Sequence, residues 1–165
     1  MKEIETGRIL VVDDNRTNRI KLSAGLTQQG HTVTLAEDGA SALLMLQQDS
    51  YDLVLLDIVM PGLDGYDVLN AMKADARMHN IPTIVISALD ELESAVRCIE
   101  MGAEDYLTKP FNAVFLKARI ESCLRRKRLR DLEQAYLQQE IMLRQSEKLA
   151  TLGRLSAGLA HELNN

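Results

Sequence analysis

A handful of residues in this chain, spread over almost a hundred positions, have the types needed to move a phosphoryl group. Asp13 and Asp14 follow the apolar run RILVV (8–12), and Asp57 ends DLVLLD (52–57). Ser87 ends PTIVIS (82–87), and Lys109 ends AEDYLTK (103–109). Three acids brought close together repel, and their ionisation is coupled unless a cation sits among them. Oxygen-only donors open to water suit Mg²⁺, which keeps several waters and accepts phosphate oxygens. Asp57 would then be the acceptor, Lys109 a second positive centre, and the Ser87 hydroxyl a donor to a phosphoryl oxygen. Phosphoryl transfer asks chiefly for positioning and charge stabilisation, so this small set is chemically sufficient. Each residue alone has a plainer reading. Paired aspartates after a strand often cap a helix, and Asp57 could merely open the turn at Pro61-Gly62. Ser87 could begin a helix, and Lys109 could be an ordinary surface lysine.

What favours the chemistry is where the elements put these residues. The three apolar runs are continuous rather than alternating, as a parallel strand covered on both faces requires. HTVTLA (31–36) and AEDYLTK are more polar and suit the edges of the sheet. Helical stretches separate the five. Residues 15–29 end before Gly30, Asp38 can cap 39–48, and Asp64 can cap 65–75. Asp90 with Glu93 reads as a capping box ahead of 91–101, and Gly102 follows as a stop. The βαβαβαβαβ order predicts an α/β fold: a flavodoxin-like, doubly wound, five-stranded parallel sheet with strand order 2-1-3-4-5. In such sheets reactive groups gather beyond the carboxyl ends of the strands, where all five candidates fall.

From about residue 112 to 163 there is no proline, and glycine occurs only at Gly153 and Gly158. Leu129, Leu132, Tyr136 and Leu143 keep a heptad-like spacing. Leu149, Leu152, Ser156, Leu159 and Leu163 continue it after a one-residue slip. The spacing predicts a long amphipathic coiled-coil helix whose stripe needs a partner, most simply the same helix of a second chain. The run RRKRLR (125–130) spreads over most of a helix circumference and can pair with Glu121, Asp131 and Glu133. No DNA-reading helix-turn-helix follows it, and the net charge of −5 gives no pull towards nucleic acid or anionic membrane. No long apolar segment precedes the first strand, and no run approaches about 18 apolar residues. Cys98 and Cys123 sit in apolar helical settings and read as free thiols. A soluble, reduced, cytoplasmic setting is the expectation.

The residues ILVVDDN, DLVLLDIVMPGLDG, IVISA and GAEDYLTKPF resemble the receiver domain of two-component response regulators. That resemblance implies Asp57 as phosphoacceptor, accepting from a phosphohistidine donor. It implies Mg²⁺ held by Asp13, Asp14, Asp57 and the Val59 carbonyl, with Ala88 and Lys109 contacting the phosphoryl group. Ser87 and Tyr106 would be the switch pair, and the Lys109–Pro110 bond would be cis. The residues two beyond Asp57 and Ser87 are Val59 and Leu89. Both are apolar and unable to orient a hydrolytic water, so a phosphoryl group should persist for minutes or longer.

SEKLATLGRLSAGLAHELNN (146–165) is similar to the phosphoacceptor-histidine helix of histidine kinases, with His161 and Glu162 opening an H-E-x-x-N pattern. The implied organisation is a receiver over 1–120, a helical linker over 121–145, and the start of a kinase dimerisation helix over 146–165. The chain would then be the N-terminal piece of a hybrid kinase, lacking the ATP-binding domain and catalysing only its own aspartyl phosphorylation and dephosphorylation. Two other readings compete. One is an aspartyl-nucleophile phosphotransferase of dehalogenase type, which would carry an acid at position 59. The other is an oligomerisation module with an inactive receiver.

Overall fold

The computed structural model describes residues 5–165. Five strands, β1 (Arg8–Val12), β2 (Thr32–Ala36), β3 (Leu53–Leu56), β4 (Thr83–Ser87) and β5 (Asp105–Thr108), alternate with five helices. The helices are α1 (Arg16–Gln28), α2 (Gly39–Gln48), α3 (Gly65–Ala74), α4 (Leu92–Glu100) and α5 (Ala113–Leu163). All strand pairs are parallel, in the order β2-β1-β3-β4-β5. The three apolar runs are the inner strands and the two polar ones the edges, as their composition predicts.

Period-two alternation splits the core into two layers. Leu10, Val12, Val54, Leu56 and Val85 face α2, α3 and α4, where Leu46, Leu69, Met72 and Cys98 meet them. Ile9, Val11, Leu53, Leu55 and Ile84 face the other way, onto Leu26 of α1 and Leu116, Ile120 and Leu124 of α5. Each aliphatic side chain so covered contributes about 1.5–3 kcal/mol relative to exposure.

Helix ends follow local chemistry. Asn15, Asp38 and Asp64 cap α1, α2 and α3, the last with the reciprocal Asp67 bond of a capping box. Gly30 and Gly102 take φ of 94° and 102° just past α1 and α4, a conformation that glycine adopts without strain. The Asp90–Glu93 box is a correction. α4 begins one residue later, with Glu91 at the N-cap and no side-chain cap bond. Its first turn instead closes through backbone, Ser94 N–H donating to the Glu91 carbonyl at 3.1 Å. Both cysteines are free and buried.

The described residues form two compact units, one ending at Lys127 and one running from Arg128 to Asn165. The basic run straddles that boundary. Its first half works within the sheet unit: Arg126 lies 3.6 Å from Glu104, and Lys127 lies 3.7 Å from Asp52. Those acids precede β5 and β3, so α5 is held where the strands begin rather than by partners on its own surface alone. Among the described residues, no helix is long and apolar enough to cross a membrane.

Candidate functional site

The site is built by strand register. Val12 and Leu56 are opposite one another in the β1–β3 ladder, so the residues that follow them, Asp13 and Asp57, emerge side by side. The ladder continues one step past the strands, with Asp57 N–H donating to the Val12 carbonyl at 2.9 Å. Likewise Lys109 N–H donates to the Ser87 carbonyl at 2.8 Å, which carries the lysine beside the last residue of β4. The Lys109–Pro110 peptide is cis, as the resemblance implied.

Lys109 Nζ lies 2.9 Å from Asp13 Oδ2 and 3.0 Å from Asp57 Oδ2, bridging two acids that are almost wholly buried. Asp14 is exposed, and carboxylate oxygens of Asp13, Asp14 and Asp57 lie within 4.8 Å of one another. Three carboxylates against one ammonium leave an excess of two negative charges in a cluster that reaches solvent at Asp14. All-oxygen donors with that charge fit a hard divalent cation.

The electrostatics follow from this crowding. Burial, helped by the charge of Asp13, raises the Asp57 carboxyl above its ordinary value, while Lys109 and the Val59 N–H oppose the rise. Burial also pulls on Lys109, in its case downward. Its bonds to Asp13 and Asp57 outweigh that and hold the ammonium above the usual lysine range.

The switch candidates lie at one corner of the same edge. Ser87 is fully buried, and its Oγ accepts from Leu89 N–H at 3.2 Å. Tyr106 is half-buried against the α2–α4 layer, with its hydroxyl donating to the Leu89 carbonyl at 2.6 Å. Burial lifts its phenol above the usual range, against the pull of the Ser87 hydroxyl. Ala88 is exposed immediately beyond β4, and Val59 is 55% exposed, its N–H donating to Asp57 Oδ1. His161 belongs to the second unit, exposed on α5, with Asn165 Nδ2 3.4 Å from its Nε2.

Sequence reasoning missed the supports of Asp13. Its Oδ1 accepts from Asn15 N–H at 2.8 Å, and its Oδ2 accepts from Asn18 Nδ2 at 3.3 Å. Arg19, with only 13% of its side chain exposed, donates from Nη1 to the Asp13 carbonyl at 2.7 Å. A signal was present for the two side chains: Asn18 and Arg19 fall three and four residues after the N-cap Asn15, on one side of the helix start, whereas Asn15 acts through its backbone N–H. Gly65 was also unremarked. A Cβ there would collide with the Asp57 carbonyl oxygen and the Ile58 backbone, so only glycine lets α3 begin against the acid's own backbone.

Residues 9–121 match the family model described as the response regulator receiver domain. The chain belongs to that family. It is 43% identical over 120 residues to the response regulator PleD of Caulobacter vibrioides, covering 73% of this chain and 26% of PleD. To the response regulator MprA of Mycobacterium ulcerans it is 42% identical, covering 78% of this chain and 54% of that protein. The chain thus spans between about a quarter and about half of these relatives. Among solved structures, the receiver domain of the Francisella response regulator 1452 superposes with a TM-score of 0.69 at 32% identity, covering 73% of this chain and 98% of that one. The signal receiver domain of a signal transduction histidine kinase from Syntrophus aciditrophicus gives 0.67 at 31%, covering 72% and 89%. The receiver fold and a role in two-component phosphorelay signalling are therefore properties of this chain.

Proposed function

We propose that Asp57 of this receiver accepts a phosphoryl group from a phosphohistidine donor, in a reaction that uses Mg²⁺ at Asp13, Asp14, Asp57 and the Val59 carbonyl. The observation that carries the reading is the Lys109 ammonium, held within 3.0 Å of two buried acids at the edge that Asp14 leaves open. A carboxylate oxygen of Asp57 attacks phosphorus, the P–N bond breaks, and the imidazole leaves with that electron pair. Mg²⁺, when bound, supplies positive charge against the incoming phosphoryl oxygens. Lys109 supplies it from the other side, Asn15 N–H and Asn18 Nδ2 hold the Asp13 carboxylate, and Arg19 holds the Asp13 main-chain carbonyl. The Ser87 hydroxyl and Ala88 then meet the phosphoryl group. Tyr106, released from the Leu89 carbonyl as that corner rearranges, carries the change towards α4 and α5.

The second unit is the output element of this reading, a helix that pairs with that of a second copy and passes the change to a kinase core. In support, Leu129, Leu132, Tyr136, Leu143, Leu149, Leu152, Leu159 and Leu163 are 60–85% exposed. A probable cyclic di-GMP phosphodiesterase of Vibrio cholerae is 37% identical over 150 residues, 89% of this chain, so that likeness extends past the receiver into the helix. The His161 motif is what favours a kinase over other outputs. Position 59 holds valine where a dehalogenase-type phosphotransferase would hold a second acid, and a scaffold would not need the acid cluster and lysine together.

Incubating the chain with a small phosphodonor and Mg²⁺ tests the reading by intact mass. One phosphoryl group should be gained, and the gain should vanish on chelation and in Asp57→Asn. Retention of the gain in Asp57→Asn defeats the assignment. Rapid multiple turnover would point to the enzyme instead, and an inert chain to the scaffold.

A further inference from the structure

The loop from β3 to α3, residues 57–64, carries the acceptor and the Val59 carbonyl assigned to Mg²⁺. Its base is closed by backbone, Gly65 N–H donating to the Ile58 carbonyl at 2.9 Å. Its outer limb rests on a different helix. Gly39, the buried first residue of α2, faces Leu63. A Cβ at 39 would collide with the Leu63 carbonyl oxygen and come within 2.9 Å of Leu63 Cβ and Val68 Cγ2. Gly39 lacks the positive φ of Gly30, Gly62 and Gly102, so its backbone conformation does not ask for glycine. Alanine would also suit a helix better. What the position requires is space.

That space bears on the metal cluster from two sides. Within the loop, Val59 N–H donates to Asp57 Oδ1 at 3.3 Å, so displacing the loop moves the Val59 carbonyl and disturbs the acceptor carboxylate together. On the other side, Ala36 at the end of β2 accepts from Asp13 N–H at 3.2 Å, three residues before Gly39. The first turn of α2 is itself fixed, with Asp38 Oδ1 accepting from Ser41 N–H at 2.7 Å.

We propose that Gly39 is a positioning residue for the metal site. The bare start of α2 is an abutment, tied to Asp13 through β2, that sets Asp57 and the Val59 carbonyl for Mg²⁺. The proposal rests on the Mg²⁺ reading of the site, and it adds a residue that touches neither the metal nor the phosphoryl group.

The test titrates Mg²⁺ into the unphosphorylated chain and follows the backbone amide resonances of Asp13, Asp57 and Val59. Gly39→Ala should weaken Mg²⁺ binding at least about tenfold, the lower end of what a lost outer support costs a metal site. Phosphoryl acceptance should then need correspondingly more Mg²⁺ to reach half its maximal rate, with the plateau little changed. Asp38→Ala frees the first turn of α2 and should weaken binding a few-fold. Asp38→Asn is equally uncharged but still able to cap, and should bind more tightly than Asp38→Ala. Leu46→Ala, two turns further along α2, should lower the melting temperature and leave Mg²⁺ affinity unchanged. Wild-type affinity in Gly39→Ala overturns the proposal, and so does an equal loss in Leu46→Ala, which would make Gly39 a packing residue only. Should Gly39→Ala fail to fold, equal affinities in the two Asp38 variants overturn it. A wild-type chain that binds no Mg²⁺ removes the metal reading and this proposal with it, whereas binding indifferent to position 39 removes this proposal alone.

Discussion

The carboxyl edge of the sheet and the helix beyond Lys127 use opposite physics. At the edge, few residues are free to vary: Asp13 is held by Asn15, Asn18 and Lys109, and α3 starts only because position 65 has no side chain. Along the helix the constraint is a pattern rather than a geometry. Leucines recur at helical spacing, well exposed, and both Gly153 and Gly158 have open space around them. One region stores its information in close contacts within the chain. The other leaves it on a surface, to be read by whatever covers that surface.

The two glycines break or sustain this contrast most sharply. Gly65→Ala should lose about 2–4 kcal/mol of stability, because its Cβ would press on backbone at Asp57 and Ile58, which cannot rotate away. Gly153→Ala meets no neighbour and should gain up to about 1 kcal/mol of helix stability. Thermal melts followed by circular dichroism compare them directly, and equal effects would erase the distinction. Next in size is Leu132→Asp. If the stripe is a dimer seam, each copy loses a buried leucine worth about 2 kcal/mol, about 4 kcal/mol for the pair, and the dimer should weaken by several hundredfold, on the order of 10³. Sedimentation at several concentrations reads the change, and a wild-type chain that stays monomeric throughout would remove the seam.

How much of this was legible beforehand follows the same divide. The inner strands were readable because burial on both faces demands continuous apolar runs, and strand-end acids were readable because the topology gives them one edge. The α4 cap was not, since aspartate near a helix start matches the statistics of capping whether or not the backbone turns to receive it. Asn18 and Arg19 were passed over for a related reason. Polar residues on a first helical turn ordinarily face water, and only the depth at which Asp13 sits turns them into its supports. The Arg126 and Lys127 pairs were out of reach because their partners lie more than twenty and seventy positions away, beyond any helical spacing rule.

Of intermediate size is an effect at the rim of the edge. Val59 and Leu89 flank Asp57 and Ser87 with apolar groups that cannot hold an attacking water. Wild-type aspartyl phosphate should therefore last minutes or longer, and Val59→Asn, which adds a donor and an acceptor, should speed its loss about tenfold. The decay is followed by mass after removal of the phosphodonor. Loss within seconds in the wild type would mean that water is positioned by some other group.

The smallest expected effect concerns stability at the edge itself. Burial raises the folded-state pKa of Asp57 above the ordinary value of 3.8, so the folded chain holds that proton more tightly than the unfolded chain does. The resulting stability is present below pH 3.8 and is lost as pH climbs through the raised value. At neutral pH without divalent ions the wild type therefore carries an ionised carboxylate at some cost. Asp57→Asn removes the charge at nearly constant shape and should melt a few degrees higher at pH 7, with the gap closing below about pH 4. Adding Mg²⁺ should narrow the gap from the other side, because an ion that binds only the folded cluster stabilises the wild type by mass action. A variant that melts lower at pH 7 would show that the Lys109 bridge outweighs burial, and that the acceptor is stabilising before any ion or phosphoryl group arrives.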